Sequence, residues 1–237
     1  NRNIVILNKL DSLGNILKTV FFRSAVYNYW AGGVSSLVKT SDSAYFIACS
    51  KEYTSNNSDH YLVKFNSDLD TIWTKTIDHD SIWEIYYNSC ETFDKGFAMV
   101  GLRIINSNSW QILLHKTDSM GNKLWEKAIN IGGLSGADRI LETPDKGFLI
   151  CGYKTSNAQG VGDPLILKTD SAGNLLWYKF LGGNEKDGAA SIAITPQGDY
   201  LVAYGYSTYT YPMNQYWAAR LNVIKYSAQG NQIWNKM

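Results

Sequence analysis

This chain of 237 residues is short of several things, and each shortage removes a class of function. Cysteine occurs three times, as Cys49, Cys90 and Cys151, each inside an apolar run. An odd count without close spacing makes neither a disulfide framework nor a metal knuckle, so the three read as free, buried small hydrophobes. Histidine also occurs three times. His60, His79 and His115 fall at different phases and form no i, i+4 pair, so they read as strand or surface residues and not as zinc ligands. Charge of one sign is lacking too: 22 Lys and Arg stand against 21 Asp and Glu, and no basic run occurs. That balance argues against nucleic acid or an anionic membrane as partner. No stretch approaches the roughly 18 to 20 uninterrupted apolar residues of a membrane-crossing helix, so no direct membrane insertion is expected. A Gly-x-Ser-x-Gly elbow, a His-Glu-x-x-His pair and a glycine-rich phosphate loop are missing as well. The sequence thus offers no catalytic residue, no metal ligand and no cofactor signature.

What the chain has in abundance is aromatic residues, 14% with 16 tyrosines, a bias that suits half-buried pleated sheet. It also has a repeat. The segments "KLDSLGNILK" from Lys9, "KFNSDLDTIW" from Lys64, "KTDSMGNKLW" from Lys116, "KTDSAGNLLW" from Lys168 and "KYSAQGNQIW" from Lys225 align without gaps, at separations of 55, 52, 52 and 57. A second series, "SDSAYFIACS", "FDKGFAMVGL", "PDKGFLICGY" and "PQGDYLVAYG", places Tyr45, Phe97, Phe148 and Tyr200 at spacings of 52, 51 and 52. Two motifs in one phase with a period near 50 indicate a solenoid, a propeller or an array.

Each unit holds four short runs rich in β-branched and aromatic residues, such as "RILET", "FLICGY", "LILKTD" and "LLWYKF", bounded by Gly, Asp, Asn, Ser or Pro. No segment of ten or more residues keeps a helical period. The fold class expected is therefore all-β, with four antiparallel strands per unit, the blade of a β-propeller. In "DSMGN" and "DSAGN" the Asp caps a tight turn and Gly121 or Gly173 takes a positive φ, with Gly230 in the same place in the last unit. Trp73, Trp125, Trp177 and Trp234 then follow once per unit, and a flat ring at that position suits a wedge between neighbouring blades.

The Asp-x-x-Gly-Asn-x-x-Trp pattern of Asp118 to Trp125 and Asp170 to Trp177 resembles the tryptophan-docking motif of pyrroloquinoline-quinone-type propellers. The whole unit, with its "DKGFLICGY" half, is more similar to the blades of bacterial secreted and cell-surface propellers that carry a C-terminal sorting domain. The resemblance covers nearly the whole chain and implies the fold and a location outside the cytoplasm, secreted or at the outer membrane. It implies no quinone chemistry, since the adjacent cysteine pair of those enzymes is missing. Two units depart from the pattern: Lys18 stands where Trp is expected, and "NSDLD" replaces the glycine turn in the second unit.

The phase divides the chain into a half blade at 3–22, holding third and fourth strands, and whole blades at 33–77, 83–129, 137–181 and 188–236. These are expected to be part of a ring of six to eight blades. The glycine pairs at Gly32 and Gly33, Gly132 and Gly133, and Gly182 and Gly183 read as turns between blades. Asp11, Asp118 and Asp170 read as turn caps, each alone in its blade, and not as a calcium set. Lys39, Glu91 and Glu142 share one phase and read either as a polar collar in a central channel or as solvated strand ends; Ile194 interrupts the series.

The connections between second and third strands vary while the frame does not. They gather Tyr53, Trp110, Tyr206, Tyr209, Tyr211, Tyr216 and Trp217, with Tyr153 beside them, among Asn and Ser, a composition of adaptable recognition surfaces. The expected function is a noncatalytic secreted or cell-surface binding module whose partner is a protein or a glycan. The alternatives are a glycan-active enzyme with catalytic residues in other blades and a scaffold subunit of an envelope or secretion complex.

Overall fold

A computed structural model describes residues 4–22, 28–31, 37–54, 57–77, 83–155, 162–181, 190–207 and 219–237. For 28–31, 52–54, 57, 58, 190, 206, 207, 219 and 220 the backbone alone is described. Every regular element among these residues is a strand. A hairpin of β1 (Val5–Leu10) and β2 (Ile16–Phe22) comes first. In the second sheet, β3 (Asn28–Ala31) and β4 (Leu37–Lys39) both pair with β5 (Tyr45–Thr54), followed by β6 (Asn57–Phe65) and β7 (Thr71–Ile77). The third sheet runs β8 (Trp83–Glu91), β9 (Phe97–Asn106), β10 (Ser109–Thr117) and β11 (Lys123–Ile129). The fourth runs β12 (Leu134–Glu142), β13 (Phe148–Thr155), β14 (Gly162–Thr169) and β15 (Leu175–Phe180). The fifth runs β16 (Ala190–Ile194), β17 (Tyr200–Ser207), β18 (Ala219–Tyr226) and β19 (Gln232–Lys236).

Each sheet is an antiparallel meander, and consecutive sheets pack face to face. Val5 meets Ile47 and Val63; Phe46 and Leu62 meet Met99 and Leu113; Val100 and Ile112 meet Ile150 and Leu165; Leu149 and Ile166 meet Val202 and Ile224. The middle strands are thus buried on both faces, which is why "FAMV" and "FLIC" are continuous apolar runs instead of alternating ones. Pairing in the second sheet begins at Asn28, ahead of the expected start at 33, with Gly32 and Gly33 outside the described residues. Gly182 and Gly183 also fall outside them, whereas Gly132 and Gly133, both at positive φ, make the link from β11 to β12.

The repeated turn sequence now has a geometry. In the β10–β11 turn, Met120 N and Asn122 N donate to Asp118 Oδ1 at 2.9 and 2.8 Å, and Asn122 Nδ2 donates to Oδ2 at 2.8 Å. Gly121 takes φ +77°, and a Cβ placed on it would lie 2.7 Å from the ring of Trp73 in the preceding sheet. Gly173 stands in the same relation to Trp125, and Gly230 to Trp177 at 2.8 Å. Glycine is required twice over, for the turn and for the indole that lies on it.

A second repeated device fastens the other hairpin. The ammonium groups of Lys64, Lys116, Lys168 and Lys225 lie 2.7 to 2.9 Å from Asp42, Asp94, Asp145 and Asp199. Lys168, with a side chain only 1% exposed, also donates to the Thr169 carbonyl at 2.8 Å, so the buried cation is fully hydrogen-bonded. The lysine that heads each "KTD" is therefore a pin across its own blade.

Candidate functional site

The inner strands of the third and fourth sheets share one irregularity. The register of β8 with β9 slips between Tyr86 and Asn88, and that of β12 with β13 slips between Ala137 and Arg139. The extra residues are Tyr87 and Asp138, at equivalent repeat positions. A bulge of this kind re-aims a side chain that the pleat would otherwise fix. Opposite each bulge stands a glycine: a Cβ on Gly101 would overlap the Ile85 carbonyl, and one on Gly152 would overlap that of Gly136. The fifth sheet has Tyr204 at that position, and β16 pairs with β17 without a slip.

Tyr87, Asp138 and Tyr153 are each half-buried. Burial lifts the Asp138 carboxyl above its usual range, against the pull of Arg139. Burial also raises the phenols of Tyr87 and Tyr153, and the Asp138 carboxylate adds to both, which places the three groups within each other's field. Tyr153 lies across Gly136, where a Cβ would stand 2.8 Å from its hydroxyl. The arrangement offers two aromatic surfaces, two hydroxyls and an acceptor that burial has partly stripped of water.

The inner strands also bound a cavity of about 490 Å³. Its lining comes from β4, β8, β12 and β16 and includes Lys39, Asn88, Glu91, Arg139, Ile140 and Ser191. Of Lys39, Glu91 and Glu142, read from the sequence either as a polar collar or as solvated strand ends, Lys39 and Glu91 line this cavity, and both glutamates are hydrogen-bonded. Glu91 accepts from Ser41 N at 2.8 Å and Ser41 Oγ at 3.0 Å, and Glu142 accepts from Phe93 N at 2.5 Å. Each glutamate reaches back to the hairpin of the preceding sheet, so these residues clasp neighbouring blades.

The aromatic residues expected at the loops are placed as follows. Trp110 is half-buried; its N donates to Gly133 O at 3.1 Å and it makes a parallel bridge to Leu134, which sets the β9–β10 turn beside the link between sheets. Tyr53 lies in β5 and Tyr206 in β17, described by backbone only. Tyr209, Tyr211, Tyr216 and Trp217 fall outside the described residues. Trp73, Trp125 and Trp177 lie on the glycines of the following sheets, and Trp234 carries the Lys236 ammonium 5.4 Å from its ring centre. None of the three thiols is in a disulfide: Cys49 and Cys151 are buried, Cys90 partly so, and burial pushes each up to about 12, which leaves no thiolate at neutral pH. Among the described residues no cluster of three His, Cys, Asp or Glu is arranged to hold a metal.

Sequence patterns gave no sign of a buried polar network between the second and third sheets. His60 Nε2 lies 3.0 Å from Glu84 Oε2, and Arg103 bridges Glu84 and Glu126. Tyr86 Oη lies 2.7 Å from His115 Nδ1, and the His60 and Tyr86 rings stack at 3.7 Å. His60, Glu84, Tyr86 and His115 are fully buried. Lys123 brings a further cation to Glu126 at 3.1 Å. The network faces inward between the sheets, so it fixes their mutual position; Tyr87 and Asp138 are the residues the bulges make available.

No protein-family model and no curated protein matches this chain. Solved structures do. An α-L-arabinofuranosidase from Fusarium graminearum matches with a TM-score of 0.60 at 12% identity, over 91% of this chain and 67% of that one. A protein of unknown function from Dyadobacter fermentans matches with a TM-score of 0.54 at 13% identity, over 91% and 70%. A subtype N10 neuraminidase-like protein of A/little yellow-shouldered bat/Guatemala/060/2010 matches with a TM-score of 0.52 at 11% identity, over 90% and 69%. At such identities the likeness concerns the fold, and the fold these sheets share with the arabinofuranosidase and the neuraminidase-like protein is the β-propeller.

Proposed function

We propose that the protein is a noncatalytic carbohydrate-binding β-propeller whose ligand rests on Tyr87, Asp138 and Tyr153. The carrying observation is that two bulges on adjacent inner strands set an aromatic ring and a carboxyl at equivalent positions, half-buried, with a second tyrosine alongside. Sugar rings pair apolar faces with hydroxyls, so they use phenol surfaces together with a partly desolvated acceptor. Two proteins of the same fold, named as an arabinofuranosidase and a neuraminidase-like protein, are in keeping with a glycan ligand. The variable loops with Tyr53, Trp110, Tyr206, Tyr209, Tyr211, Tyr216 and Trp217 would extend the contact area. The sheets are blades of a ring of six to eight, and the resemblance of the repeats favours a secreted or cell-surface location.

Affinity electrophoresis through gels holding arabinan, xylan or mucin tests this reading. Retardation of the wild type, lost in Tyr87→Ala and Tyr153→Ala, supports it; equal mobility of all three proteins in every gel contradicts it.

A second reading, a glycan-active enzyme, has one observation in its favour: burial raises the Asp138 carboxyl, as a general acid requires. Release of reducing sugar from the same polysaccharides, abolished by Asp138→Asn, would establish it over the noncatalytic one.

A further inference from the structure

The two bulges differ in how they are held. In the fourth sheet the residue before the bulge is Ala137, which shares one apolar cluster with Ile112 and Leu167. In the third sheet that residue is Tyr86, fully buried, and the repeat positions of Ile112 and Leu167 are taken by His60 and His115. The His60 ring stacks on that of Tyr86 at 3.7 Å between centres, and the Tyr86 hydroxyl reaches His115 Nδ1 at 2.7 Å. Burial, with the charges of Glu84 and Glu126 adding to it, raises this phenol well above its ordinary value, so it keeps its proton and can donate a hydrogen bond to the imidazole. Glu126 stands 3.6 Å from the same imidazole nitrogen, and Arg103 bridges Glu126 to Glu84, which meets His60. The next joint is held by apolar packing at these positions, and buried charge is a poor source of stability beside such packing. What a stacked ring and a hydrogen bond add to apolar contact is direction.

The residue after the bulge is fastened as well. Asn88, also buried, accepts the Ile140 N–H on its Oδ1 at 3.0 Å. Ile140 lies two residues beyond Asp138 on the inner strand of the fourth sheet. Tyr87 itself stands opposite no residue of β9, so its two neighbours decide where its ring goes. One neighbour is tied across the joint to the second sheet and the other to the strand that carries Asp138.

We propose that Tyr86 and Asn88 are positioning residues for Tyr87. The contacts of Tyr86 with His60 and His115 fix the direction in which the bulge presents its ring, and the bond from Ile140 to Asn88 fixes the spacing of that ring from Asp138. This rests on the carbohydrate reading of the site and names the residues that give it its geometry.

Fluorine NMR of the protein carrying 3-fluorotyrosine at position 87 tests the geometry without any ligand, with Tyr86→Phe, Asn88→Leu and Lys168→Met made in the same background. Tyr86→Phe removes one hydroxyl and keeps the stacked ring, Asn88→Leu removes the bond to Ile140 at similar volume, and Lys168→Met weakens the fourth sheet away from the bulge. The expected result is a shifted or broadened resonance in Tyr86→Phe and Asn88→Leu and an unmoved one in Lys168→Met, with each variant shown to be folded by its urea transition. With the natural Tyr87 restored, retardation by arabinan, xylan or mucin gels should weaken about fivefold in Tyr86→Phe and in Asn88→Leu, as loss of one hydrogen bond implies. An unmoved resonance in either folded variant, or a moved resonance with undiminished retardation, overturns the proposal. A wild type retarded by none of the gels removes the carbohydrate reading, and the resonance then still decides whether Tyr86 and Asn88 position the ring.

Discussion

The Lys18 ammonium lies 2.6 Å from Asp70 Oδ1 and 2.6 Å from the Asp68 carbonyl oxygen. Lys18 occupies the tryptophan position of the first unit, and Asp70 belongs to the "NSDLD" turn, in which Leu69 occupies the glycine position at φ +61°. The two departures from the repeat are thus each other's partners. Where the turn carries a leucine side chain, an indole has no room, and a flexible cation reaches around it to the acids. Lys9 joins the same turn through Asp68 at 2.6 Å.

The exchange is expected to be reversible as a set. Lys18→Ala alone should cost at most about 1 kcal/mol, because both partners are largely exposed. Lys18→Trp alone should cost about 1–3 kcal/mol through crowding against Leu69. Adding Leu69→Gly and Asp70→Asn should recover at least about 1 kcal/mol of that loss, a coupling that urea unfolding of the full set of variants will measure. Additive effects would mean that the two positions do not form one joint.

Removing a ring from an internal joint should be expensive. Trp177→Ala is expected to cost about 3–5 kcal/mol, as truncation of a packed aromatic does, and a loss below about 1 kcal/mol would count against the packing role. Gly173→Ala brings a Cβ within 2.7 Å of Trp125 at a positive φ, whereas Gly14→Ala meets only the backbone cost of about 1–2 kcal/mol. Thermal denaturation should therefore rank Gly173→Ala as clearly the more damaging.

Acid should weaken the blade pins. Asp42 is held down to about 2 by Lys64 and then Thr40, with burial opposing. Asp94 and Asp145 are lowered as well, their hydrogen bonds to threonine and lysine outweighing burial. A carboxyl whose folded value is depressed contributes stability above its ordinary value, and that contribution is lost as pH falls through the folded value. The wild type is expected to lose stability from about pH 4 toward about pH 2. Lys168→Met should cost about 1–3 kcal/mol at neutral pH by removing charge-assisted hydrogen bonds. It should also make the acid loss shallower, which chemical denaturation at several pH values will read.

Asp138 should behave in the opposite sense. Its carboxyl is raised by burial, so ionisation at neutral pH opposes folding. Asp138→Asn is expected to be more stable than the wild type at neutral pH, with the difference shrinking as acid protonates the aspartate. The same variant should bind carbohydrate more weakly, a local cost in stability kept for the ligand. Parallel urea titrations and gel-retardation assays check both halves.

The interface network makes a further demand. Glu84 is fully buried between His60 and Arg103, and losing its charge leaves the guanidinium short of a counter-ion. Glu84→Gln should cost about 3–5 kcal/mol. A change below about 1 kcal/mol in urea unfolding would show that Arg103 is satisfied by Glu126 alone.

The strand count per unit, the turns and the recurrence of the tryptophan were legible because each blade solves one packing problem and repeats the answer in sequence. The pairing of Lys18 with Asp70 was half legible: both departures were visible, but their contact spans 52 residues and nothing local announces it. The bulges left a signal in Gly101 and Gly152, present in "FAMVG" and "FLICG" and absent where Tyr204 stands. Reading that glycine as a backbone approach would have led to Tyr87 and Asp138. The network of His60, Glu84, Arg103, His115 and Glu126 left none, since its members come from five strands at unrelated phases and occur at one interface. His60 and His115 are buried polar residues because sheet stacking, not periodicity, brings their partners to them, while His79 lies outside the described residues.

The most direct test of the central claim is a glycan-array screen of the wild-type protein with Tyr87→Ala and Tyr153→Ala alongside. Saturable binding to one group of glycans, weakened at least tenfold in each variant, is the predicted result. Undiminished binding by both variants, or no glycan bound by the wild type, would contradict the assignment of this cluster as a carbohydrate site.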